Sequence, residues 1–361
     1  MRLTKTVGEY LLGFGALRLA GQVLSSQVLG EGTLGSGRCI YLIDHFFSDG
    51  SLLARLPLNE NDTVLYIDTR DEPTTKQIDD ITAQLRADAP PHVVVGIGGG
   101  STMDIAKAVS NLLTNGGNAA DYQGWDLVKR PGVFKVGVPT ISGTGAEASR
   151  TCVMMNQAKN LKLGMNSDYT VFDRLILDPE LTASVPRSQY FFTGMDTYIH
   201  CIESLAGRYR HALADAFSHQ ALAMCRDIFF GADMQSAENR QKLMIASFLG
   251  GSAIGNSLVG LVHPFSAGLS MVLHTHHCLG NCIVLDAMDE FYPREVEVFR
   301  RMREAQGVEL PRGLCRGLTD ELYQALYAAT IVHTKPLANA LGDDFRSVLT
   351  FEKVTEIFQR M

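Results

Sequence analysis

Short runs of β-branched and aliphatic residues alternate with helix-patterned stretches through the first half of this chain. Segments 39–44, 63–67, 93–97 and 134–139 each read as a buried strand, because they are apolar, short and bounded by turn residues. Segments 75–87 and 101–113 repeat their apolar positions every three to four residues and read as helices. Strand–helix–strand alternation of this length predicts a parallel sheet with both faces covered, and such sheets bind ligands beyond the carboxyl ends of their strands.

From about residue 186 the pattern changes. Apolar-periodic runs at 192–206, 213–230, 241–259, 322–333 and 351–361 predict helices, and clear strand signals vanish. Two prolines, Pro179 and Pro186, bracket a turn-rich stretch that marks a boundary. The expected organisation is an α/β domain over residues 1–184 and an all-helical domain over 185–361. A chain of 361 residues is long enough for two cores.

Composition narrows the function classes. A net charge of −7 argues against nucleic acid or an acidic membrane surface as partner. No apolar stretch is long enough to span a bilayer, and the first residues carry no secretory pattern. The seven cysteines, at 39, 152, 201, 225, 278, 282 and 315, are odd in number and include no C-x-x-C pair. Reduced thiols in a cytoplasmic protein fit this better than a disulfide framework. Cys278 and Cys282 read as packing residues, since a buried free cysteine behaves as a small hydrophobe.

Two glycine-bearing loops follow predicted strands. Gly98, Gly99, Gly100 and Ser101 lie between a strand and a helix, where free N–H groups and the positive dipole end suit a phosphate. Ser101 fits either as helix N-cap or as phosphate ligand. A tight turn without any ligand is the plainer reading of this loop. In Pro139-Thr-Ile-Ser-Gly-Thr-Gly-Ala-Glu147, Thr140, Ser142 and Thr144 supply hydroxyls, and Gly143 and Gly145 keep the loop flexible. Asp44 ends the first predicted strand. A carboxylate there suits the paired hydroxyls of an adenine ribose and repels a 2′-phosphate, which favours NAD over NADP; a helix cap is the alternative.

Asp196 and His200 stand four residues apart in a predicted helix and therefore share a face. His263 and His277 complete a set of one carboxylate and three imidazoles, which suits Fe(II) or Zn(II). The fourteen residues between His263 and His277 would rise about 21 Å on one continuous helix, too far to share an ion. The chain is therefore expected to break between them, with Pro264 opening a new helix and Gly268 and the polar cluster 274–277 helping. His274 and His276 are spare imidazoles that fit either a proton relay or a solvated surface.

Taken in order, Gly98-Gly-Gly-Ser-x-x-Asp104-x-Ala-Lys107, Pro139-Thr…Gly-Thr-Gly-Ala-Glu147, Asp178-Pro, Gly194-x-Asp196-x-x-x-His200-x-x-Glu203, Gly260-Leu-Val-His263 and His277-x-x-x-Asn281 resemble the iron-dependent (group III) alcohol dehydrogenases. The resemblance implies a dinucleotide-binding α/β domain and a helical metal domain, the architecture shared with dehydroquinate synthase. It implies a divalent metal, Fe2+ or Zn2+, at Asp196, His200, His263 and His277. It also implies a nicotinamide cofactor at Gly98 to Ser101, Asp104, Thr140 and Thr144, with Asp44 as the ribose acid and Lys162 near an active-site lysine. The implied activity is oxidation of a primary alcohol to an aldehyde, in a homodimer acting on a small molecule. Four positions depart from the family pattern: Ala267 replaces a histidine four residues after the third ligand, Pro264 replaces a glycine, and Ile141-Ser142 replaces Thr-Ala. The lost imidazole opens space for a larger substrate, and Arg150, Lys162, Arg187, Arg208 and Arg210 are candidates to receive its carboxylate, as a carboxylated sugar would require. An oxygen-using oxidase, a small-alcohol or polyol dehydrogenase and a catalytically silent NAD- or metal-binding protein are the alternatives. A dehydroquinate-synthase-type activity would need a basic phosphate pocket, and no tight Lys/Arg cluster occurs around 240–280.

Overall fold

The computed structural model describes residues 4–25 and 37–361. Among the described residues nine strands are formed: β1 (Glu9–Leu12), β2 (Cys39–Asp44), β3 (Thr63–Ile67), β4 (Val93–Gly98), β5 (Gly124–Trp125), β6 (Phe134–Pro139), β7 (Thr151–Asn156), β8 (Leu161–Asn166) and β9 (Arg174–Leu177). The helices of the first half are α1 (Ala20–Ser25), α2 (Thr75–Arg86) and α3 (Gly100–Asn115). Those of the second half are α4 (Arg187–Ala206), α5 (Ala212–Phe230), α6 (Ala237–Asn256), α7 (Val262–Leu273), α8 (His277–Asp286), α9 (Pro293–Gln306), α10 (Asp320–Ile331), α11 (Thr334–Leu341), α12 (Phe345–Val348) and α13 (Phe351–Gln359). Among the described residues no helix is long and apolar enough to cross a membrane.

Two compact units result. One comprises residues 1–142, 146–159 and 163–184; the other comprises Gly143–Gly145, Asn160–Lys162 and Val185–Met361. The first is built on a six-stranded sheet of order β1-β9-β6-β4-β2-β3, with every pairing parallel. Parallel strands are buried on both faces and so read as continuous apolar runs, as β4 does, all six of its residues being buried. Register places three loops at one level: Ile43 lies opposite Ile97, and Gly98 opposite Pro139. The ends of β2, β4 and β6 therefore leave the sheet side by side, with Thr140 N–H donating to Gly98 O at 2.9 Å. β5, β8 and β7 form a separate three-stranded sheet.

The helical unit buries α4 almost entirely, fourteen of its twenty residues being buried. A helix buried nearly all round sits in the centre of its bundle. Tyr198, Phe229, Phe265, Phe299 and Phe358 lie in the surrounding core and have no more than 1% exposure.

Gly143 and Gly145 are not flexible spacers. Gly143 N–H donates to Ser247 Oγ at 2.8 Å, and its carbonyl accepts from Thr197 Oγ1 at 2.8 Å. A Cβ on Gly143 would lie 1.8 Å from Thr193 O, and one on Gly145 would lie 2.5 Å from Gly251 Cα. These glycines let backbone pass against backbone. Gly268 does not break a helix either. It sits inside α7 where a Cβ would meet Thr330 Oγ1 at 2.8 Å, so it makes room for the end of α10.

Candidate metal centre

Asp196, His200 and Glu203 project from α4 at spacings of four and seven residues, which puts all three on one face. His263 stands in the first turn of α7, and Pro264 follows within that turn rather than opening the helix; a proline is tolerated there because the N–H it lacks would have no partner. The break falls at His274, which caps α7 with φ +53°. A non-glycine residue in that region costs about 1–2 kcal/mol. Ser270 Oγ donates to Thr275 O at 2.9 Å and Ser266 Oγ to His277 O at 3.3 Å, which ties the reversed chain back onto α7. His277 then begins α8.

This brings the four side chains together. From Asp196 Oδ1, His263 Nε2 lies at 3.4 Å and His200 Nε2 at 3.7 Å; from Asp196 Oδ2, His277 Nε2 lies at 3.7 Å. Ligand atoms of Asp196, His263 and His277 all fall within 4.8 Å of one another. The His200 and His263 rings stack at 4.7 Å. Asp196 has no solvent exposure and His200 has 3%.

Two further residues hold these side chains in place, and sequence reasoning quoted both without giving them a role. Glu203 Oε2 lies 2.5 Å from His263 Nδ1, and Glu203 Oε1 accepts from Val262 N–H at 2.6 Å. A proton on Nδ1 directed at Glu203 leaves the Nε2 lone pair for a metal, the arrangement in which a second carboxylate fixes the imidazole tautomer. Asn281, one turn along α8 from His277, donates to Asp196 Oδ1 at 2.7 Å. The signal was available: Glu203 is seven residues from Asp196, and Asn281 four from His277. Cys278, expected only to pack, has its Sγ 3.8 Å from Asp196 Oδ2, so it is a polar neighbour of the carboxylate as well.

The charges fit a cation. Burial opposes ionisation of Asp196, yet His200, His277 and His263 hold it well below the usual carboxylate range. Burial drives His200 down to about 4, so it is a neutral imidazole. Its Nδ1 is buried without a hydrogen-bond partner. Burial also works against a charge on His263, but Glu203 and Asp196 raise it to about 9. One anion, three imidazole nitrogens and a supporting carboxylate suit Fe(II) or Zn(II). If Glu203 sets the His263 ring, Glu203→Gln should weaken metal binding about 10–100-fold while leaving the fold intact, as read by competition with a chelator and by circular dichroism.

The expected cofactor residues lie at the sheet's carboxyl edge. Gly99 is the N-cap of α3 and contributes no side chain, which leaves first-turn N–H groups uncapped. Ser101 is therefore inside the helix and is not its cap. Asp44 does cap: its Oδ1 accepts from Phe46 N–H at 3.0 Å, and its Oδ2 from Thr69 Oγ1 at 3.1 Å. Oδ2 also accepts from Thr102 Oγ1 at 3.4 Å, while Oδ1 keeps a second lone pair, so capping and ribose binding are compatible. Asp104 faces inward from α3, accepts from Val153 N–H at 2.9 Å, and lies 3.7 Å from the buried Lys107; burial raises it to about 6. It ties α3 to β7 of the smaller sheet. Thr140 and Ser142 are buried, whereas Thr144 falls in the helical unit.

Four of the five candidate carboxylate receivers are spent elsewhere. Arg150 pairs with Asp168 and Asp126, Arg187 with Gln306, Arg208 with Asp343, and Arg210 with Asp215. Lys162 lies in the same unit as the metal ligands. It is buried on β8, and its Nζ donates to Ser270 Oγ at 3.1 Å. His274 and His276 are both exposed.

A parallel α/β unit with a glycine loop at an uncapped helix start, and a helical unit holding an acid and three imidazoles, define a two-part metal and nucleotide protein. Comparison with known sequences narrows that class. The profile described as "Iron-containing alcohol dehydrogenase" matches residues 13–179, and "Fe-containing alcohol dehydrogenase family, C-terminal" matches residues 191–325. The chain belongs to the iron-containing alcohol dehydrogenase family. It is similar to sulfoacetaldehyde reductase of Bilophila wadsworthia, with 34% identity over 60% of this chain and 56% of the relative. It is also similar to NAD-dependent methanol dehydrogenase of Bacillus methanolicus, with 28% identity over 76% of this chain and 71% of the relative. The match thus spans little more than half the length of the first. A solved iron-containing alcohol dehydrogenase from Thermotoga maritima shares the fold, with a TM-score of 0.81 at 22% identity over 99% of this chain and 98% of the other.

Proposed function

We propose that this chain is a metal-dependent oxidoreductase that interconverts a primary alcohol and its aldehyde with a nicotinamide dinucleotide. One observation carries the reading: three imidazole Nε2 atoms lie within 3.4–3.7 Å of the buried Asp196 carboxylate. Bound there, a divalent iron or zinc ion supplies Lewis acidity toward a hydroxyl or carbonyl group. A dinucleotide supplies the hydride chemistry. Asp196, His200, His263 and His277 would hold the ion, and Glu203 and Asn281 would orient them. The uncapped start of α3 at Gly99–Ser101 offers N–H groups to the pyrophosphate. Asp44 offers its carboxylate to the ribose hydroxyls and disfavours a 2′-phosphate. The matched relative whose printed name includes NAD dependence supports the same cofactor.

The finer reading is an anionic substrate, with the C8 hydroxymethyl group of 3-deoxy-D-manno-octulosonate as its target. The sequence resembles the bacterial oxidase of that sugar acid, which acts in lipopolysaccharide sugar modification. Ala267 removes bulk one turn from the metal ligand His263, and Lys162 supplies a buried cation that donates to Ser270 one turn farther along α7. A relative named for sulfoacetaldehyde, an aldehyde bearing a sulfonate, fits a site that accepts negative charge.

Nicotinamide reduction is measured on anaerobic protein loaded with Fe(II) or Zn(II). NAD and NADP are each paired with the sugar acid, methanol and propane-1,3-diol. Reduction of NAD with the sugar acid supports the full proposal. Reduction with only the neutral alcohols leaves the class standing and removes the anionic substrate, and peroxide release without cofactor reduction overturns the class. With an active anionic substrate, Lys162→Met should raise KM about tenfold or more with a smaller change in kcat, because it removes one charge-assisted contact of about 1.5–3 kcal/mol. Neutral alcohols should respond less.

A further inference from the structure

The imidazole expected on α7 is absent, because residue 267 is alanine. Another imidazole approaches from a different element. His333 lies between α10 and α11, where it serves as the N-cap residue of α11 without a side-chain cap hydrogen bond. Its approach to α7 follows from packing. Thr330, one turn earlier, lies over Gly268, where a Cβ would come within 2.8 Å of its Oγ1. His333 lies two residues beyond the end of α10, and its N–H donates to Thr330 O at 3.3 Å, so the turn that carries it is tied to the residue packed on α7. His263, Ala267 and Ser270 lie at spacings of four and three along that helix. Ser270 in turn accepts from Lys162 Nζ at 3.1 Å.

The ring is not placed there by a structural bond. His333 Nε2 is buried and has no hydrogen-bond partner. An unpartnered buried imidazole nitrogen costs about 1–3 kcal/mol, and a core position would ordinarily satisfy it. Burial, then the charge of Lys162 on β8, then that of His263 on α7, lower His333 to about 4. The ring is thus neutral and able to accept a proton. His274 and His276, the other spare imidazoles, are exposed.

We propose that His333 is the group that receives the hydroxyl proton of the alcohol, replacing the imidazole missing at position 267. This rests on the alcohol-oxidising reading above. The substrate O–H bond breaks and its proton forms an N–H bond on the neutral His333 ring, which becomes an imidazolium. The carbon gives up a hydride, with its electron pair, to the oxidised nicotinamide dinucleotide, and the aldehyde C=O is completed. The imidazolium then returns its proton to water. Lys162 favours that last step and opposes the first to the same extent, since a neighbouring cation makes the imidazolium a stronger acid and the neutral ring a weaker base.

The test uses His333→Asn and His333→Gln, two polar replacements that cannot carry a proton at neutral pH. Both should retain full metal content. Both should lose about 10²–10³ in kcat, and their kcat/KM profile should lose the limb that reports the base. A readout independent of turnover uses metal-free protein with labelled histidine. The His333 resonance, identified by its absence from the variants, should stay in its neutral position well below about pH 6.5, and Lys162→Met should move its titration upward. Variants within about tenfold of the parent with an unchanged pH profile overturn the relay. So does loss of metal together with turnover, which would make His333 a structural part of the site. An unaltered chain that reduces no nicotinamide with any alcohol overturns the parent reading and the relay with it. A living parent enzyme with unaffected variants overturns the relay alone.

Discussion

Asp196→Asn should strip the metal from this protein and abolish turnover while leaving the helical unit folded. The substitution keeps the shape of the side chain and removes its charge. In the native site that charge is surrounded by His263 Nε2 at 3.4 Å and by His200 and His277 Nε2 at 3.7 Å, and it accepts from Asn281 Nδ2 at 2.7 Å. An amide is a poor ligand for Fe(II) or Zn(II), and the remaining imidazoles supply no countercharge. The loss of affinity should exceed the about 10–100-fold typical of residues that only orient a ligand, and so exceed that of Glu203→Gln. Turnover should fall by about 10³ or more, in step with occupancy. Metal content after dialysis against a chelator, kcat with saturating metal restored, and circular dichroism separate the effects. A variant that keeps stoichiometric metal and full turnover would remove Asp196 from the site.

The ranking of these two substitutions also shows what could be read from the chain. Asp196 and His200 were legible because a helix repeats and four residues return to one face. His263 and His277 needed a break between them, and the chain breaks at His274, a non-glycine residue at φ +53°, a conformation no pattern of apolar residues announces. The central strands β2, β4 and β6 were legible because a parallel strand buried on both faces is a continuous apolar run, and the half-buried edge strand β3 because its short run is rich in β-branched and aromatic residues. β1 is an edge strand of four residues, and in β7 buried and half-buried positions alternate. Such short segments do not separate from loop by periodicity. His333 gave no signal at all. Its meaning depends on α10 ending against Gly268 of α7, a contact between residues more than sixty positions apart. The two glycines after Ile141 were visible, but their purpose was not, since a loop glycine looks the same whether it moves or is clamped.

That clamp makes Gly143→Ala the most destabilising small change expected in the chain. Gly143 has φ +142°, and the new Cβ would lie 1.8 Å from Thr193 O and 2.2 Å from Thr193 C, both backbone atoms of α4. No rotamer relieves a clash with backbone, so the segment must move. Moving it strains or breaks the bonds to Ser247 Oγ and Thr197 Oγ1, both 2.8 Å. Overpacking and backbone strain together should cost about 2–5 kcal/mol. The thermal midpoint should fall by about 2–4 °C for each kcal/mol, the sensitivity of domains of 150–250 residues. Gly50→Ala is the control: it too has positive φ, at +78°, but open space around the new methyl group. It should cost only about 1 kcal/mol, the backbone term alone. Comparing the two isolates close approach from conformational preference. Asp196 lies one turn along α4 from Thr193, so the displaced carbonyl should also loosen the metal site, and chelator competition should show weaker binding in Gly143→Ala and no change in Gly50→Ala. Equal midpoints for the two variants would mean that the loop yields freely and that the backbone contact does not constrain α4.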